Sequence, residues 1–330
     1  AGSIRRWLHL GLSPDQVLGK FMSKTAFLFP GQGSQSMGML ASLADAFPEV
    51  SQTFSEASDA LDLDLWNICQ EGPEGTLNRT ENTQPAMLAA GIATWRCWQQ
   101  SGGEMPALMA GHSLGEYSAL VASGVMGFAD AIRTVALRGR LMQEATPEGV
   151  GAMAAILGLD DDVLTDICNG YDGEGIVSCA NFNSPGQVVI AGNRTAVETA
   201  CELASEAGAR RAILLPVSVP SHCALMKPAA GKLEEALAGL ELNKAGVPVI
   251  QNADVQSYES NEAIIDALSR QLYQPVRWTE TVLFLKSQGV ERFIECGPGK
   301  VLAGLNRRIS RESHTIALLD SESINSALEN

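Results

Sequence analysis

Short apolar runs and longer amphipathic stretches alternate along most of the chain. Thr25-Ala26-Phe27-Leu28-Phe29 is a compact apolar run and ends in Pro30-Gly31-Gln32-Gly33-Ser34-Gln35, which reads as a buried strand followed by a tight loop. Helical spacing follows over residues 39–46, 50–61 and 84–100. Residues 106–110 read as a second strand, a helix opens at Glu116, and 129–144 form another amphipathic helix. Further on, 247–251 and 292–296 add strands, with helices over 263–273 and 280–288. Strands separated by helices of this length predict an α/β fold with a mostly parallel sheet covered on both faces.

The middle of the chain has a different rhythm. Strand patterns at 152–157, 176–181, 187–191 and 211–217 enclose helices at 161–169 and 196–207, with a turn at Asn183-Ser184-Pro185-Gly186. The order β-α-β-β-α-β predicts a small ferredoxin-like domain. We therefore expect an insertion at 147–218 within a large α/β-hydrolase-like core made of 22–146 and 219–330. The cleft between the two units is the expected ligand site. Residues 1–21 carry no clean apolar segment and no small-residue cleavage site, so Met22 is read as the natural start and 1–21 as an added leader.

Composition narrows the function. A formal net charge of -15 argues against nucleic-acid binding, which needs a basic face. No apolar run is long enough to span a bilayer. The 7 cysteines form no C-x-x-C pair, so neither a zinc site nor a disulfide framework is expected, and a reducing, cytoplasmic setting fits.

Candidate chemistry centres on Gly111-His112-Ser113-Leu114-Gly115, a G-x-S-x-G pattern between a strand and a helix. Such a turn lifts a serine hydroxyl clear of the sheet and aims backbone N–H groups at the same point. The alternative is a helix-entry turn in which Ser113 only caps. A nucleophilic serine needs a base, and histidines are few. His9 lies in the leader, the ring of His112 would turn back toward the sheet, and His314 precedes an apolar run. His222, where the insertion rejoins the core, is the remaining candidate. The Gly31–Gln35 loop fails as a dinucleotide or Walker loop; it reads either as an ordinary turn or as a donor of one oxyanion-hole N–H, Leu114 supplying the other. Arg138 lies on a helix where it is either solvated or held in a cleft for a substrate carboxylate.

Phe29-Pro30-Gly31-Gln32-Gly33-Ser34-Gln35, Thr83-Gln84-Pro85-Ala86, Gly111-His112-Ser113-Leu114-Gly115-Glu116-Tyr117, Asn181-Phe182-Asn183-Ser184-Pro185-Gly186-Gln187 and Pro220-Ser221-His222 occur in order. Together they resemble the malonyl-CoA:acyl carrier protein transacylase family of bacterial type II fatty-acid synthesis, from about Lys24 to the C-terminus. The resemblance implies that Ser113 is the malonylated nucleophile and His222 the general base, oriented by the backbone carbonyl of Gln271 rather than by an aspartate. It implies an oxyanion hole from the N–H groups of Gln32 and Leu114, and an Arg138 clamp on the malonyl carboxylate. Ping-pong transfer without metal or cofactor follows, by an enzyme expected to be a monomer. Acyl carrier proteins are acidic, so docking on this acidic chain requires a local basic patch. Lys286, Lys300, Arg307, Arg308 and Arg311 are the candidates, on and around the helix after Gly297-Pro298-Gly299. A thioesterase or lysophospholipase would share the serine, histidine and loop, but would need no arginine and would let water deacylate the enzyme. A noncatalytic carrier-binding relative would have lost Ser113 and His222.

Overall fold

The computed structural model describes residues 24–329 except 148 and 218; the expected leader at 1–21 lies outside the described residues. Strand β1 (Thr25–Phe29) is followed by helices α1 (Ala41–Ala46), α2 (Pro48–Leu61), α3 (Leu65–Gln70), α4 (Glu74–Leu77) and α5 (Thr80–Gln100). Strand β2 (Leu108–Gly111) leads into α6 (Gly115–Ala122) and α7 (Phe128–Ala145). The middle of the chain forms β3 (Gly151–Leu157), α8 (Asp161–Asn169), β4 (Val177–Ser184), β5 (Gln187–Asn193), α9 (Arg194–Glu206) and β6 (Arg211–Leu214). The chain then continues through α10 (Lys227–Ala238), β7 (Val249–Ile250), α11 (Asn261–Gln271), α12 (Trp278–Ser287), β8 (Arg292–Glu295), α13 (Val301–Ile309), β9 (His314–Ala317) and α14 (Ser321–Glu329).

Among the described residues the strands form two sheets, as the alternation predicts. One is five-stranded, order β7-β2-β1-β8-β9, with every pairing parallel. Its central strand explains why the run at 25–29 lacks a polar phase. Phe27 and Phe29 face one apolar cluster, where Phe27 meets the Trp95 and Trp98 rings edge-on, while Ala26 and Leu28 face a second cluster with Trp278 and Phe293. Both faces are covered, so every position after Thr25 is apolar.

The second sheet, order β4-β5-β3-β6, is wholly antiparallel. With α8 and α9 on one face it has the ferredoxin-like arrangement. Alternate residues of β3 serve its two sides. Ala152, Ala154 and Ile156 pack beneath the helices, while Met153 packs with Ala180, Val189, Ala191 and Cys223. Cys223 is thus a buried packing residue that seats the neighbouring His222 under this sheet. The two units are also tied through the main chain: Val276 N–H donates to Ala180 O at 2.8 Å and Phe182 N–H to Val276 O at 2.9 Å.

Some boundaries differ from the sequence pattern. Helix α5 starts at Thr80 rather than 84, so Pro85 is its sixth residue and costs the helix one N–H bond, to the Glu81 carbonyl. Strand β4 runs through Ser184, which narrows the hairpin turn to Pro185 and Gly186. Strand β9 and helix α14 carry too short a pattern to stand out, yet β9 pairs along all four residues of β8. Among the described residues no helix is long and apolar enough to cross a membrane.

Candidate active site

Strand β2 ends at Gly111 and α6 begins at Gly115, leaving three residues for a sharp reversal. The flanking glycines are dictated by contact. A Cβ on Gly111 would lie 1.9 Å from the Gly115 carbonyl carbon, and one on Gly115 would lie 2.0 Å from Phe29 O. Ser113, at the apex, has φ 51°, a left-handed conformation that an L-residue holds only under constraint. Asn252 supplies that constraint from the segment after β7. Its Oδ1 accepts the Ser113 N–H at 2.8 Å and its Nδ2 donates to Gly111 O at 2.6 Å.

His222 meets this serine from the other side, its Nε2 2.8 Å from Ser113 Oγ. It too has a left-handed backbone, φ 62°. Two consecutive carbonyls fix it: Gln271 O lies 2.7 Å from His222 Nδ1, and Leu272 O accepts the His222 N–H at 2.9 Å. Both lie at the C-terminus of α11, where helix carbonyls lack intrahelical donors and carry partial negative charge. A helix end therefore occupies the place an aspartate takes in a triad, and it fixes the tautomer with the proton on Nδ1. Burial, reinforced by the Arg138 charge, lowers the His222 pKa to about 3. The imidazole is neutral and able to accept the serine proton.

Arg138 is the third member, and it is buried rather than solvated, at 2% exposure. The neighbouring Arg133 and Arg140 are exposed, and Arg133 pairs with Asp130. The Arg138 fork is held at both ends: Nη1 donates to Gln84 Oε1 at 2.9 Å and Nη2 to Gln271 Oε1 at 3.0 Å. Nη2 also lies 3.3 Å from Ser113 Oγ, and the guanidinium sits over the Tyr117 ring. A guanidinium beside a serine nucleophile suits a substrate whose acyl group carries its own carboxylate.

The loop after β1 borders the same point. A Cβ on Gly31 would lie 2.4 Å from His112 O, so this loop rests directly on the elbow. Gln32 is exposed and Leu114 is buried at the start of α6. The geometry thus brings Ser113, His222, Gln271 and Arg138 into direct contact, with the Gln32 loop resting on His112 of the elbow. The basic candidates lie elsewhere. Lys300, Arg307, Arg308 and Arg311 are exposed on or beside α13, and half-buried Lys286 hydrogen-bonds Ser310. Arg308 bonds Gln187 at 2.5 Å, which places α13 beside the smaller sheet.

One expectation needs correction. The His112 ring does not turn back into the parallel sheet; its Nε2 lies 2.7 Å from Asn183 Oδ1 on β4, with the ring against Trp278. Both faces of the parallel sheet are already packed with apolar side chains, so the imidazole finds its polar partner in the other unit. Sequence reasoning also missed Asn252, Gln84 as a contact of Arg138, and Glu116. Glu116 is fully buried; its Oε2 accepts the Asn252 N–H at 2.8 Å and Gln271 Nε2 at 3.0 Å. The only signal available was a charged residue in an otherwise apolar helix start, Glu116-Tyr117-Ser118-Ala119-Leu120.

Comparison with known proteins adds to this geometry. The family model for the acyl transferase domain matches residues 26–319. The malonyl CoA-acyl carrier protein transacylase of Salmonella typhimurium is 57% identical over 307 residues, covering 93% of this chain and 99% of that protein. The Bacillus subtilis protein of the same name is 48% identical, covering 93% of this chain and 97% of its own length. An acyl carrier protein S-malonyltransferase from Vibrio cholerae superposes with a TM-score of 0.90 at 57% identity, covering 92% of this chain and 100% of that one. A malonyl-transacylase solved in complex with its type II PKS acyl-carrier protein superposes at 0.92 with 58% identity, covering 93% of this chain and 100% of that one.

Proposed function

The chain belongs to the acyl transferase domain family, and from that premise we propose that it moves a malonyl group from malonyl-CoA to the phosphopantetheine thiol of acyl carrier protein, through an ester on Ser113. Malonyl-CoA enters with its carboxylate on Arg138. Ser113 Oγ attacks the thioester carbonyl while His222 Nε2 takes its proton. The tetrahedral oxyanion forms against the N–H groups of Gln32 and Leu114, each donor contributing on the order of 3 kcal/mol. The imidazolium is stabilised by the Gln271 carbonyl and the end of α11, then protonates the departing coenzyme A thiolate. In the second half-reaction His222 deprotonates the carrier's thiol, which attacks the malonyl ester and releases Ser113.

This cycle is acyl exchange between two thiols and an alcohol, so its chemistry calls for neither metal nor organic cofactor. One chain supplies every group named, consistent with a monomer, and the substrates are those of a cytoplasmic pathway. The carrier protein, being acidic, docks on the exposed cations Lys300, Arg307, Arg308 and Arg311, with Lys286 at the margin.

The observation that carries this reading is the single oxygen shared by base and cation: Ser113 Oγ is 2.8 Å from His222 Nε2 and 3.3 Å from Arg138 Nη2. The test is intact-mass spectrometry after mixing with malonyl-CoA, followed by addition of carrier protein. A malonyl adduct on Ser113 that discharges to the carrier supports transfer. Rapid release of free malonate instead would make the protein a hydrolase.

A further inference from the structure

Arg138 is not the only buried charge beside Ser113. Glu116, one helical turn away on α6, is completely inaccessible to solvent. Its Oε2 holds two donors, but its Oε1 has no hydrogen-bond partner among the described residues. Arg138 and Glu116 are linked through an amide: the Gln271 side chain accepts from Arg138 Nη2 at 3.0 Å and donates to Glu116 Oε2 at 3.0 Å. Other titratable groups facing Glu116 are Tyr117 on its own helix and Asp254 after β7, the latter already paired with Arg270 at 2.6 Å. His222 and His112 lie at the elbow, both neutral through burial.

The free site therefore balances one guanidinium against one carboxylate. A carboxylate-bearing acyl chain seated on Arg138 brings a second anion to the same buried guanidinium. Two carboxylates sharing one cation away from water do not both stay ionised. Resting on the transfer reading above, we propose that Glu116 takes up one proton from solvent on Oε1 when a malonyl group, but not an acetyl group, is esterified to Ser113. The carboxylate becomes a carboxylic acid, the Oε1 lone pair forms the O–H bond, and the acyl carboxylate takes over the charge of Arg138. Glu116 is a positioning residue here. It touches no reacting atom and acts through Gln271. Burial already raises its carboxyl to about 7, with the Asn252 and Gln271 bonds and the Arg138 charge opposing, so a further anion nearby completes the protonation.

The test is a single turnover in weak buffer at pH 7.5 with an indicator dye, counting protons absorbed per acyl-serine measured by intact mass. Malonyl-CoA should draw roughly three-quarters of a proton more per ester than acetyl-CoA, the fraction of a group with pKa about 7 that is ionised at that pH. Released coenzyme A thiol gives back about a tenth of a proton in both cases, which cancels. Glu116→Gln, scored per ester formed, should abolish the difference. Equal uptake for the two acyl groups, measured on the unmodified protein, overturns the inference. So does an unchanged difference in Glu116→Gln, which would put the proton on His222. If no malonyl-serine forms at all, the transfer reading falls and this one with it.

Discussion

Two strand–turn–helix junctions flank β1 at the carboxyl end of the parallel sheet, and each buries a glutamate. At one, β2 turns through Ser113 into α6 and encloses Glu116. At the other, β8 turns through Gly297 and Gly299 into α13 and encloses Glu295. Burial raises both carboxyls to about 7. They differ in what their oxygens do. Glu295 Oε1 and Oε2 take the Leu302 and Ala303 N–H groups at 2.9 and 2.8 Å, so the carboxyl closes the N-terminus of α13. Glu116 leaves an oxygen unused, and its turn places a non-glycine residue at positive φ where the other turn uses glycine. The β8 junction satisfies its polar groups and holds the fold together. The β2 junction leaves groups unsatisfied and strained, available to a substrate.

The sharpest way to break this comparison is at the elbow itself. Ser113→Ala should lower acyl-enzyme formation by more than about 10⁴-fold, seen as loss of the malonyl adduct by mass, with the fold intact. Ser113→Gly should do the same while raising stability by about 1 kcal/mol in thermal unfolding, because glycine relieves the positive φ. Next in size is Arg138→Ala, which should depress kcat/KM for malonyl transfer about 100-fold more than for acetyl transfer. Equal losses would mean that the guanidinium only supports the fold. At the other junction, Glu295→Ala should cost about 3 kcal/mol by stranding the buried Leu302 N–H and the half-buried Ala303 N–H, a fall of roughly 5 °C in Tm, with ester formation per folded molecule retained. Reversing Arg307 and Arg308 to glutamate should raise KM for carrier protein about tenfold and leave malonyl-CoA loading alone; loss of both half-reactions would place the docking surface elsewhere.

The smallest expected effect concerns pH. With His222 held near 3, its neutral form persists well below the range in which free imidazole titrates. The loading rate should fall less than about twofold from pH 7 to 5.5, where an unperturbed histidine would lose roughly tenfold of its basic form. An inflection near 6.5 in a stopped-flow profile that persists in Glu116→Gln would show that the imidazole is not desolvated.

Much of the architecture is legible from local pattern. The run at 25–29 needs no partner to be read as a strand with two covered faces, and the helix at 161–169 keeps its bounds because its apolar residues repeat at helical spacing. The G-x-S-x-G turn is equally local. Asn252, Gln84 and Glu116 are not. They lie 139, 54 and 155 residues in sequence from Ser113, Arg138 and Gln271 respectively. A polar side chain that bonds across such distances leaves no periodic trace, and only the fold discloses its partner. Gln271 shows the limit best. The family resemblance points to its carbonyl, but nothing local indicates that its side chain bridges Arg138 to Glu116.

The acceptor beneath the His222 ring is a peptide oxygen, and every amino acid carries one. Genetic change at position 271 can therefore unhook the cation and the elbow by altering the side chain, yet it cannot strip the imidazole of its anchor without unwinding the end of α11. Orientation of the base is insured by the polypeptide itself, and substrate preference is left exposed to mutation at the same residue.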